Sequence, residues 1–265
     1  MLKPTQRHCF MNEPTGSDLD GDKPTTRRGL VSFTFCIGFV VAVVTCLGIW
    51  QVQRLSWKLD LIERVDARVA APAVAAPSPN EWNAINAAES EYRHVRLTGT
   101  FLHDKEAQVY ALTERGAGFW VMTPLQRNDG TIVFINRGFV PTDSRDPAIR
   151  PEGNVTGEQT ITGLLRLPET GGLFLRKNNP GDDRWYMRNP VELAKARSIR
   201  NVAPYFVDAD DAPNPGGLPI GGMTRIVFTN NHLVYAITWF ALAIMGTAFI
   251  IYVWRSERKR RGPSS

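Results

Sequence analysis

Asn230, Asn231 and His232 stand immediately before an apolar run that continues without a charge to Trp254. A neutral imidazole there can cap a helix, carry a proton or ligate a metal. The plain reading is a cap, hydrogen-bonded to Asn230 or Asn231, since asparagine is itself a strong capping type. A polar side chain beside a membrane span is costly without a partner, however, and that makes His232 the first functional candidate. The other histidines read as ordinary surface: His8 near the N-terminus, His103 at a turn beside Asp104 and Lys105, and His94 between Arg93 and Arg96. Two cationic neighbours disfavour protonation of His94. Asp208, Asp210 and Asp211 invite a cation-binding reading, but Ala212 takes the next alternate position and no ligand-spaced glutamate follows. They are expected to form a solvated turn.

Enzyme patterns fail in turn. There is no G-x-S-x-G, H-E-x-x-H, phosphate-binding loop or G-x-G-x-x-G. Ser90, Ser144 and Ser198 lack a glycine elbow, and the three cysteines, Cys9, Cys36 and Cys46, all precede residue 51. The middle of the chain therefore has no thiol nucleophile and no disulfide, and a non-enzymatic protein is expected.

The elements that must position His232 are membrane spans. Leu233 to Trp254 is long enough to cross roughly 30 Å of hydrocarbon, with Tyr235, Trp239 and Phe240 at one end and Tyr252 and Trp254 at the other. Leu30 to Trp50 is a second uncharged run. Two spans put both termini on one side, and Arg255, Arg258, Lys259, Arg260 and Arg261 make that side cytoplasmic. The main domain is then external, or periplasmic in a bacterial inner membrane. The formal charge of +5 owes much to this basic tail and reads as topology, not as nucleic-acid binding. Glu13, Asp18, Asp20 and Asp22 argue against a transit peptide, and the first run is too long for a cleaved signal despite Arg27-Arg28.

The fold expected is an α+β membrane protein, with two transmembrane helices flanking an external antiparallel, barrel-like β domain that has one short helix. Residues 1–29 read as a disordered tail, 30–50 as the first span and 51–69 as its helical extension, with Val52, Leu55, Leu59 and Ile62 at helical spacing. Residues 70–80, rich in alanine and proline, read as a linker. The β-rich domain covers 81–229, the second span with its entry motif 230–254, and a basic tail 255–265. Strands are expected over 92–101, 108–112, 119–125, 131–140, 159–167, 204–207 and 223–228, with a hairpin turn at Asp129-Gly130. Asn189-Pro190 should open a helix to about Ile199, and 216–222 should be a mobile loop.

Several motifs resemble the Surfeit locus protein 1 family. They are Leu47 to Lys58, Asn136-Arg137-Gly138-Phe139-Val140-Pro141, Asn178-Asn179-Pro180 with Trp185, Pro219-Ile220-Gly221-Gly222, and the stretch Asn230 to Phe240. The resemblance implies a membrane-anchored assembly factor for haem-copper cytochrome c oxidase, with catalytic subunit I and other assembly factors as partners, besides membrane lipid. It also implies transient binding of haem A, with His232 as the iron ligand. On that reading Arg54 and Arg225 are candidate partners for the propionates, and Trp50 and Trp239 candidate walls for the ring. The other reading is a scaffold that stabilises an oxidase assembly intermediate without binding haem.

Overall fold

The computed structural model describes residues 26–171, 176–224, 226 and 228–260. The expected tails over residues 1–25 and 261–265 lie outside these, as does Arg225. The chain forms two compact units, one helical (up to Trp57 and from Asn230) and one β-rich (Lys58–Thr229).

The helical unit holds α1 (Arg27–Ala70) as far as Trp57; the helix starts after Thr26, whose hydroxyl accepts from Gly29 N. Its counterpart α3 (His232–Arg260) carries the second apolar run. Both are long and apolar enough to cross a membrane. They pack through small residues, as helices do where no hydrophobic force distinguishes protein from lipid. A Cβ added at Gly48 would meet Phe240 at 2.8 Å, and one at Gly246 would meet Val41 at 2.7 Å. Ala236 and Ala243 are buried on α3, Phe33 meets Phe249 edge-on, and Trp254 Nε1 donates to Thr34 Oγ1 at 2.9 Å. Beyond Trp254 the basic stretch is helical as far as Arg260, not a loose tail.

The β-rich unit contains β1 (Val74–Ala75), β2 (His94–Phe101), β3 (Ala107–Thr113), β4 (Gly116–Arg127), β5 (Ile132–Pro141), β6 (Glu158–Arg166) and β7 (Val202–Ala209). The sheet order is β1-β2-β6-β7-β5-β4-β3, and a further β2–β4 pairing closes it into a barrel. The twelve-residue β4 makes closure possible, since its first half pairs with β3 and its last residues with Gly99–Phe101 of β2. Glycine is needed at position 99, where a Cβ would lie 2.3 Å from the Gln126 carbonyl oxygen. Most pairings are antiparallel, but β5–β7 and β1–β2 are parallel.

Strand alternation divides the core. Val133, Ile135, Tyr205 and Val207 fill the barrel with Val95, Leu97 and Leu165. Phe134 and Phe206, one residue out of phase, pack outside with Trp185 and Leu193. Leu193 lies on α2 (Pro190–Ala196), which Asn189 caps by accepting from Val191 N and Glu192 N. Covered on both faces, β5 is buried almost throughout. The helix stops earlier than expected, since Ser198 already has φ 55°.

Three expectations are corrected. The segment 70–80 is more than a linker: Val74–Ala75 pair with Val95–Arg96, and Tyr205 Oη, Arg127 Nη1 and Trp82 Nε1 all donate to the Pro77 carbonyl. These donors fasten it to the barrel. Met223, Thr224, Ile226 and Phe228 form no strand, the sheet having already closed without them. The 216–222 loop is anchored, because Ile220 exchanges two backbone hydrogen bonds of 2.9 Å with Phe139 and Pro219 is buried.

Candidate functional site

At the start of α3 the capping is done by asparagine. Asn230 Oδ1 accepts from His232 N at 3.4 Å, and Asn231 O accepts from Tyr235 N at 3.2 Å. The His232 ring is thereby released from the capping role, and the expectation of a ring-mediated cap is corrected. Its Nδ1 lies 2.7 Å from Oε1 of Gln51, a side chain of α1 that is only 9% exposed as a residue. With an amide oxygen facing it, Nδ1 is the donor, and in the neutral ring Nε2 keeps the lone pair. Among the described residues Nε2 has no hydrogen-bond partner, and the half-buried ring leaves it accessible.

Gln51 has no assigned role in the Leu47–Lys58 motif, although the cost of an unpartnered polar group beside a span, which singles out His232, applies equally to an amide at the end of an uncharged run. On α1 the residues Trp50, Arg54 and Trp57 follow at i, i+4 and i+7, one stripe on the flank beside Gln51. The Arg54 guanidinium lies 4.5 Å from the centroid of Trp57, and Trp50 is half exposed. On α3 Trp239 is seven residues after His232 and so shares its face, partly buried. No hydrogen bond, ion pair or ring contact joins Arg54, Trp50 or Trp239 to His232 among the described residues. Arg225 lies outside them.

The residues fit a haem iron at one coordination position. Histidine with one ring nitrogen hydrogen-bonded and the other bearing a lone pair is the arrangement a metal-binding imidazole uses, the hydrogen bond fixing tautomer and ring orientation. No group of three or more His, Cys, Asp or Glu among the described residues is arranged to hold a bare metal ion.

The β-rich unit overturns two expectations about polar residues. Asp208 does not lie in a solvated turn. Its side chain is 1% exposed, and it accepts from Arg188 Nη1 and Arg166 Nη1 at 2.9 Å each and from Asn136 Nδ2 at 2.8 Å. Asp210 is also engaged: its Oδ2 meets His94 Nε2 at 2.8 Å, while His94 Nδ1 meets the Ala71 carbonyl at 3.0 Å. Both partners are acceptors, so both ring nitrogens must carry protons, and the Asp210 hydrogen bond raises the His94 pKa above its ordinary value. The nearby arginines do not decide its charge. The signal was absent from local sequence because His94 and Asp210 are 116 residues apart.

A closed barrel of short strands in one unit, and in the other two apolar helices that share a polar pair, define a class of membrane-associated β protein. The comparisons narrow the class. A SURF1 family profile matches residues 38–244. Surfeit locus protein 1 of Rattus norvegicus is 36% identical over 243 residues, covering 85% of this chain and 75% of that protein. The Homo sapiens protein of the same name is 36% identical over 235 residues, covering 82% and 74%. A SURF1-like protein of Monosiga brevicollis is 34% identical over 236 residues, covering 84% and 88%. This chain belongs to the SURF1 family, and with it to the cytochrome c oxidase assembly factors.

Proposed function

We propose that this chain assists cytochrome c oxidase assembly by holding haem A at the entry of α3 and passing it to the catalytic subunit I, alongside other assembly factors. The observation that carries this reading is the His232–Gln51 hydrogen bond, which leaves Nε2 as the available ligand atom. When bound, the haem supplies the iron and its redox chemistry; the chain supplies retention. His232 would ligate the iron, Gln51 would hold its tautomer, and Arg54 would bond a propionate. Trp50 and Trp239 would shield the macrocycle from water. The asparagine caps make His232 unnecessary for starting the helix, which favours the ligand reading over the scaffold reading. The basic end of α3 (Arg258, Lys259, Arg260) supports a topology with both termini in the cytoplasm and the barrel in the periplasm, in a bacterial inner membrane.

The test is absorbance of the purified chain after co-production with haem A. The wild type should show a Soret band, and His232→Asn should insert to normal abundance yet lose it. Retention of the wild-type band in His232→Asn, or a wild type that never acquires one, leaves the scaffold reading in its place.

A further inference from the structure

An imidazole ligand does not tell one haem from another, because every haem offers its iron at the same axial position. What sets haem A apart from untailed haems is an isoprenoid tail, carried on the edge of the macrocycle away from the propionates. Selective retention therefore calls for a second feature, an apolar seat for that tail.

The helical unit contains a groove of about 370 Å³ between residues 37–44 of α1 and 242–249 of α3, and every residue lining it is apolar. Its floor is the close packing of Gly246 against Val41, where an added Cβ would lie 2.7 Å from Val41 Cγ2. Its rim is open, Val40 and Met245 being 56% and 61% exposed. The edge-on contact of Phe33 with Phe249, at 6.1 Å between centroids, bounds the far end.

Position ties this groove to His232. At 3.6 residues per turn, Val40 and Val44 fall within about 20° of Gln51 around α1. Arg54 and Val40 turn the same way from Gln51, so guanidinium and groove share one flank. On α3, Trp239, Gly246 and Leu242 turn the same way from His232, by about 20°, 40° and 80°. Along the axis Val44 lies about 10 Å from Gln51, and Gly246 about 21 Å from His232, towards the middle of the span. Arg54 lies about 4.5 Å from Gln51 in the opposite direction. The tail and the propionates leave opposite edges of the macrocycle, and the groove and Arg54 leave the polar pair in opposite directions.

We propose that this groove seats the isoprenoid tail, and that Val40, Val44, Leu242 and Met245 decide which haem the chain keeps. The inference rests on the haem reading and deepens it: His232 holds iron, and the groove selects the tail. Lipid is as apolar as the groove, so the selection comes from packing against a methyl-branched chain, with an acyl chain of the bilayer as the competing occupant.

The probes are haem B and haem O, which differ only in the tail that haem O carries, titrated into the full chain in phospholipid nanodiscs and followed at the Soret band. The wild type should hold haem O about tenfold more tightly than haem B, and His232→Asn should lose both. Val44→Phe, which puts a ring into the groove, should bind haem B as the wild type does but lose most of the preference for haem O. Its haem B affinity also reports that the variant is folded. Val43→Phe, at an exposed neighbour outside the groove, should keep the preference. Partitioning of the tail into lipid is common to all variants, so the comparison between them isolates the groove. A wild type that holds the two haems equally overturns the proposal, as does Val44→Phe with an undiminished preference; in either case acyl chains are the groove's occupant. A wild type that binds neither haem refutes the proposed function itself, and this inference with it.

Discussion

Gly138→Ala is the sharpest test of how the barrel is built. Gly138 has φ 130°, a conformation that side chains rarely adopt, and an added Cβ would lie 2.0 Å from the Ile220 carbonyl oxygen and 2.3 Å from its carbon. The obstructing atoms are backbone, so relief requires the loop to move. Moving it breaks the two 2.9 Å hydrogen bonds between Phe139 and Ile220. The strained φ costs about 1–3 kcal/mol and each lost bond about 1 kcal/mol, so a total of about 3–5 kcal/mol is expected. For a unit of this size that corresponds to a fall of roughly 6–20 °C in unfolding temperature. Tryptophan fluorescence measures it directly, because Trp185 is fully buried in the affected unit. An unfolding temperature within about 2 °C of wild type would show that the loop accommodates the methyl group and that the close approach is not structural.

Two further outcomes follow from the polar network. The folded pKa of His94 is raised, so its stabilising contribution is complete below the unfolded value of about 6.5 and is lost as pH rises through the folded value. The stability difference between wild type and His94→Gln should therefore be largest in acid and shrink toward alkaline pH; a difference constant with pH would refute the doubly protonated ring. Asp208→Ala removes the acceptor shared by Arg166, Arg188 and Asn136 and leaves each buried guanidinium with a single carboxylate, which should cost about 3–5 kcal/mol by denaturant titration. A loss under about 1 kcal/mol would mean that Glu91 and Glu169 suffice for the two arginines.

What the sequence reveals is local. Alternation marks β2 and β5 because each places residues on two distinct faces, and Asn189-Pro190 marks α2 because capping depends on neighbouring residues. Closure of the barrel through Gly99–Phe101 and Gln126 is set by register between distant strands, which no single segment encodes. The same holds for Asp208, whose partners Arg166, Arg188 and Asn136 come from three other segments. Around His232 the spans and the asparagines are visible in advance. Gln51 is 181 residues away, and its pairing emerges only when two helices meet.

The position of β7 has a consequence for biosynthesis. Although the last strand among the described residues, β7 lies between β5 and β6, so no ring of strands exists until residues 202–209 have been made. A ribosome that has finished β6 has released a curved sheet with unpaired edges on β5 and β6, each able to capture another chain. Premature termination before Val202 should therefore give an aggregating product that quality control removes, not a smaller working domain. Termination just after Ala209 would allow the ring to close but omit α3 and His232. Nonsense alleles on either side of that boundary should thus differ in kind: an absent protein on one side, and on the other a singly anchored barrel that lacks its half of the polar pair.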